Sequence, residues 1–217
     1  EFGAWSGEAG MSRATVWQRG ESFAAEVFVP VWTSQLFVSD WWRRAPAPLE
    51  VEVVGEGEHW RVTVRNGTQS ALQNIHLAVA DRIISLGDME AGQTRVFRVA
   101  RLGGMELREF LTRRGGTLFA AAQHRRHAFG LAEGGWITDL PNASIAASFV
   151  GKLGAQVGPR FIVPAGLDLS GVVERGGAVL LAWADNGAPA PPLNRAPARR
   201  GARYTLWRVP VETREAK

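Results

Sequence analysis

The 217 residues are 46% hydrophobic and 21% charged, with nine Trp and ten Phe, so the chain can build a packed core and is no disordered tail. It has no Cys, which excludes disulfides and thiolate metal sites, and its formal net charge of +4 is small for this length. The longest uncharged apolar run, Val27 to Ser39, contains Pro30 and falls short of the about 20 residues that a membrane-spanning helix needs. Only Lys152 and Lys217 are lysines among 25 basic residues. That arginine excess suits bidentate recognition of phosphate or carboxylate. GC-rich coding gives the same bias, together with the abundant Ala and Gly. The first methionine is Met11, and the expectation is a piece of a larger protein.

In chain order, Ala14 to Trp17 and Phe23 to Trp32 read as strands around the turn Arg19-Gly20-Glu21. Gln35 to Val38 is a third apolar run, and Trp41-Trp42-Arg43-Arg44 leads into Ala45-Pro46-Ala47-Pro48, a stiff linker and the main candidate boundary. Leu49 to Val53 then alternates apolar and acidic residues, as a strand with one wet face does. A turn at Gly55-Glu56-Gly57-Glu58 precedes His59 to Arg65, with Trp60, Val62 and Val64 inward. Asn66-Gly67-Thr68 closes that strand. Asn74 to Val79 alternates with Ile75, Leu77 and Val79 inward, which sets His76, like His59, on a polar face at the surface. Ile83 to Leu86 is short and ends at Gly87-Asp88, and Glu90-Ala91-Gly92-Gln93 turns into Thr94 to Val99.

Trp60 to Gly67, Leu72 to Leu77, Ser85-Leu86-Gly87 and Glu90 to Gln93 together resemble an immunoglobulin-like module of bacterial envelope proteins. The resemblance covers residues 48–101, about a quarter of the chain, and is shorter than a full seven-stranded sandwich. It implies an adhesive, spacer or scaffold role outside the cytoplasm and supplies no catalytic residue.

Beyond it, residues 105–114 predict the one helix, with Met105, Leu107, Phe110 and Leu111 on one face and Gly115-Gly116 as its stop. Strands are expected at 117–122, 135–137, 145–150 and 161–163. Leu169 to Val173 and Ala178 to Trp183 read as a hairpin around Glu174-Arg175-Gly176-Gly177, and Tyr204 to Val209 as a closing strand. The fold class is therefore all-β: a β-sandwich with an immunoglobulin-like module at 48–101 and a second β-rich domain at 102–217 with one short helix. Residues 1–47 are expected to pair with that second domain around an inserted module.

Chemical motifs are sparse. His124 and His127 flank two arginines, which repel a cation, and positions three apart on a strand face opposite ways, so no metal site is read there. There is no nucleophile elbow, no zinc-protease motif and no complete phosphate loop. Glu50, Glu52, Asp81, Asp139, Asp168 and Asp185 offer no selective pair for glycoside hydrolysis. The reading is non-enzymatic and needs no cofactor. The candidate ligand-binding residues are Trp41, Trp42, Arg43 and Arg44, where indoles could stack on a polysaccharide. The arginine pairs 43–44, 113–114, 125–126 and 199–200 are scattered among acidic residues, which argues against nucleic acid and leaves an anionic polymer or lipid headgroup as another ligand. The expected role is a non-catalytic interaction or scaffold region with a protein partner in the cell envelope, periplasmic or extracellular, touching a membrane only through segments outside this chain. Asn66-Gly67-Thr68 and Asn142-Ala143-Ser144 also match the glycosylation pattern, which matters only in a eukaryotic secretory setting.

Overall fold

A computed structural model describes residues 14–20, 22–27, 46–115, 139–152, 167–185 and 204–216. The chain divides into two compact units, Glu1–Pro46 and Ala47–Lys217, so the division falls inside the proline-rich stretch. In the first unit, β1 (Ala14–Arg19) and β2 (Ser22–Val27) form an antiparallel hairpin, with Gly20 at a φ of 61° in its turn. Glycine adopts that left-handed conformation without steric cost.

The second unit is a β-sandwich. Its strands are β3 (Leu49–Glu56), β4 (His59–Asn66), β5 (Leu72–Val79), β6 (Arg82–Met89), β7 (Thr94–Ala100), β8 (Met105–Glu106), β9 (Ala178–Asp185), β10 (Tyr204–Val211) and β11 (Thr213–Glu215). One sheet runs β10-β9-β5-β6-β8, the other β11-β3-β4-β7. All pairings are antiparallel except that of β11 with β3. The alternation read along β3 and β4 holds: Leu49, Val53, Trp60, Val62 and Val64 are buried while Glu50, Glu52 and Arg65 face water. Those inward side chains meet Leu72, Ile75, Leu77, Leu180 and Ala182 of the other sheet, and this shared apolar layer is the main core.

The five-stranded sheet has a second buried face. Helices α1 (residues 107–115), α2 (Leu140–Ala147) and α3 (Ser170–Glu174) cover it, packing Leu107, Phe110, Leu111, Ile145 and Val173 against Ala78, Ile83, Val179 and Leu181. Burial on both sides explains why Ala178–Ala184 reads as an unbroken apolar run, the pattern of a central strand. It also corrects the placement of His76 at the surface. His76 is only 8% exposed, because the face of β5 that alternation marks as wet lies under α1.

Three further expectations change. The strand expected at 145–150 is α2 and the turn after it. Asp139 caps that helix, its Oδ1 accepting from the Asn142 N–H at 3.2 Å, and Pro141 sits in the first turn, where a missing N–H costs nothing. The strand expected at 169–173 is α3, whose Val173 turns into the helical layer; Asp168 Oδ1 holds the Ser170 N–H at 3.0 Å. The expected late hairpin is therefore absent, and β9 pairs instead with β5 and β10. Finally, residues 48–101 are no separate body from 102–217: β9 lies against β5 and β11 against β3, inside one unit. The strands expected at 117–122, 135–137 and 161–163 lie outside the described residues.

Candidate functional site

The ligand-binding candidates Trp41, Trp42, Arg43 and Arg44 lie outside the described residues, as does the 124–127 segment with its two histidines. Two other places carry polar groups that the fold arranges, and the residue patterns had singled out neither as a site.

The first is a cleft of about 500 Å³ on the helical side, lined by His76, Ser85, Phe110, Arg113, Arg114 and Asn142 among others. His76 and Ser85 are register partners on β5 and β6, and α1 and α2 bring in the rest. A bulge in β5 sets Asn74 at a φ of 51°, and its carbonyl lies 2.9 Å from His76 Nδ1. A carbonyl only accepts, so Nδ1 carries the proton and Nε2 keeps the lone pair. Burial pushes the imidazole below its ordinary pKa, against the opposing pulls of the Asn74 carbonyl and Asp139, so the neutral form prevails near pH 7.

A polar chain continues from there. Asn74 Nδ2 donates to Asn142 Oδ1 at 3.1 Å, and Asn142 Nδ2 donates to Asp139 Oδ2 at 2.9 Å. Asp139 Oδ2 also takes Arg114 Nη1 at 2.8 Å, while Arg113 pairs with Glu109 one turn back. Each guanidinium lining the cleft thus already faces a carboxylate, and the local charge is close to balanced. Among the described residues, no three His, Asp or Glu side chains converge as a metal-binding set.

The second place is the open edge of the four-stranded sheet at β7. Asn66 N–H donates to Gln93 O at 2.8 Å, and Arg101 N–H to Glu58 O at 2.9 Å. Those bonds belong to the β4–β7 register, so odd-numbered residues of β7 exchange hydrogen bonds with β4. The backbone groups of Thr94, Val96 and Arg98 consequently point away from β4. No strand of the described residues pairs with that side. Thr94, Val96 and Arg98 are exposed on the outer face, Val96 at 62%, while Phe97 and Val99 pack into the core.

The charges of that outer face run in columns. Glu50, Glu52 and Glu56 stand on β3, and Arg61 and Arg65 on β4. Arg65 meets Glu50 at 3.2 Å, and Arg61 reaches Glu56 at 2.6 Å and Glu52 at 3.9 Å. The hydrogen bond that Arg61 donates to Glu56, with that carboxylate's charge, raises the Arg61 pKa above the ordinary value. Arg98 is the register partner of Arg61, like charge opposite like, and has no carboxylate partner among the described residues. Arg95 stacks over the Phe97 ring at 4.8 Å and donates to the Asp88 carbonyl at 2.7 Å.

An edge strand of seven residues with open backbone groups and an exposed valine is a template for another strand. Its alternation was legible in sequence, but its edge position was not. No helix of the described residues is long and apolar enough to cross a membrane. No curated protein and no solved structure matches the chain. Residues 48–128, which contain the whole β3–β8 segment and α1, are similar to a family described as a domain of unknown function (DUF8725).

Proposed function

We propose that this chain is a non-catalytic interaction region of a bacterial envelope protein, working outside the cytoplasm, with an immunoglobulin-like element at its centre. The observation that carries the reading is the β7 edge, where Thr94, Val96 and Arg98 present backbone donors and acceptors that no described strand uses. Strand addition at such an edge gives affinity through main-chain hydrogen bonds and specificity through alternate side chains. The resemblance of residues 48–101 to envelope modules supports the location, and the antiparallel sandwich is an architecture well suited to adhesive and scaffold work. Function inferred from architecture is analogy, so the edge is what requires testing.

A photo-reactive residue placed at Val96 in cells that make the parent protein tests this directly. The expected outcome is a covalent adduct with an extracytoplasmic protein, absent when the same probe stands at Glu52, on the same face but on the interior strand β3. Adducts formed only with cytoplasmic proteins, or none at all, would overturn the reading.

A further inference from the structure

Resting on that reading of the β7 edge, we infer that its partner is an extended acidic segment of another protein, added as a new outer strand of the four-stranded sheet. Charge decides the class of partner. The outer face runs acidic on β3 and basic on β4, and on β7 it carries a single arginine, Arg98. Like charges directly opposite across a strand pair are destabilising, and Arg61 and Arg98 are placed so. Arg61 is compensated from its other side by Glu52 and Glu56, whereas Arg98 has no carboxylate partner among the described residues and lies on the side of β7 that no described strand pairs with. A strand carrying an acidic residue opposite Arg98 supplies it.

The register extends the requirement to neighbouring positions. On an antiparallel strand, the residue two further on faces Val96 on the same side of the sheet, and the residue after that lies opposite Arg95 on the other side. Val96 calls for a β-branched or other apolar residue to cover it. Arg95 has a ring and a carbonyl as partners but no carboxylate among the described residues, so it calls for a second acid. The recognised pattern is therefore acidic, any residue, apolar, acidic. A second copy of this chain pairing through β7 does not meet it, because β7 contains no acidic residue and would set arginines beside arginines.

The test uses the full chain and three fluorescent peptides of one length. One is built on Glu-Thr-Val-Glu, one has Lys in place of both Glu, and one has Thr in their place. Fluorescence anisotropy should show saturable binding of the acidic peptide, weakened by added salt, and little or none of the other two. Arg98→Glu should weaken the acidic peptide roughly tenfold and improve the lysine peptide. Val96→Pro deletes an outward-pointing N–H, not one that β4 uses, so the variant keeps its circular dichroism and loses the peptide.

Equal binding of the neutral and acidic peptides would overturn the acidic partner while leaving strand addition intact. No binding of any peptide, or binding indifferent to Val96→Pro, would overturn strand addition itself. Dimerisation of the free chain in sedimentation, abolished by Val96→Pro, would make the occupant a second copy and overturn the inference.

Discussion

Asn66 shows how much one buried amide can organise. It is fully buried; its Nδ2 donates to Ser70 O at 2.9 Å and Glu90 O at 3.0 Å, and its Oδ1 accepts from the Thr68 N–H at 3.0 Å and hydroxyl at 2.7 Å. One side chain thereby fastens the loop after β4 to the turn before β7, and its nitrogen is not available as a glycosylation acceptor in the folded chain. Asn66→Ala leaves the Thr68 N–H without its partner and takes one of two donors from each carbonyl, since Ser70 O keeps the Thr68 hydroxyl and Glu90 O the Gln93 N–H, and is expected to cost roughly 1–2 kcal/mol in urea unfolding. Ala80 illustrates the opposite case, a strained residue that touches little. It is exposed and holds a φ of 48° in the β5–β6 turn, beside Asp81 at 57°. Since an L side chain disfavours that region, Ala80→Gly should stabilise the chain by roughly 0.5–1 kcal/mol. His76 makes stability depend on pH. Its folded pKa lies below the unfolded value, so the unfolded chain binds the extra proton, and stability present above pH about 6.5 falls as the pH drops below it. The urea midpoint of the wild type should therefore fall more steeply between neutral and mildly acidic pH than that of His76→Gln. Parallel slopes would refute this.

Among the elements, the strands were legible and most of the helices were not. Period-two alternation located β3 to β7 to within a few residues, because one wet face imposes it residue by residue. α2 escaped because Ile145 to Val150 is short and apolar enough to read as a strand; the Asp139-Leu140-Pro141 start was the signal that identified it. α1 was legible from its spacing, and its Leu111 is fully buried against the outer face of the five-stranded sheet. Leu111→Ala should cost about 2–4 kcal/mol, measured by chemical denaturation, since it leaves a cavity under the helix. The β7 edge makes the converse prediction. Arg98→Glu should raise the urea midpoint of the isolated chain, because it replaces a like-charge neighbour of Arg61 with an attractive one.

In the whole molecule, both sheets are closed by strands that lie far apart in sequence. β9 and β10 complete the sheet of β5 and β6, and β11 runs parallel to β3. Residues 48–101 alone would uncover Ala78 and Ile83 on the helical face, take Leu180 and Ala182 from the main core and leave an unpaired side on β5, so that fragment should show no cooperative unfolding transition. Residues 47–217 should unfold cooperatively without the first unit, as followed by thermal circular dichroism. What the sequence determined by itself was the class of fold and the position of most strands, because alternation acts through neighbouring residues. What only the tertiary structure decided was which faces and edges are covered. His76 is buried under α1, and β7 stands at the sheet edge among the described strands, because of where segments distant in the chain come to lie. Burial and pairing depend on those partners, and no local pattern records them.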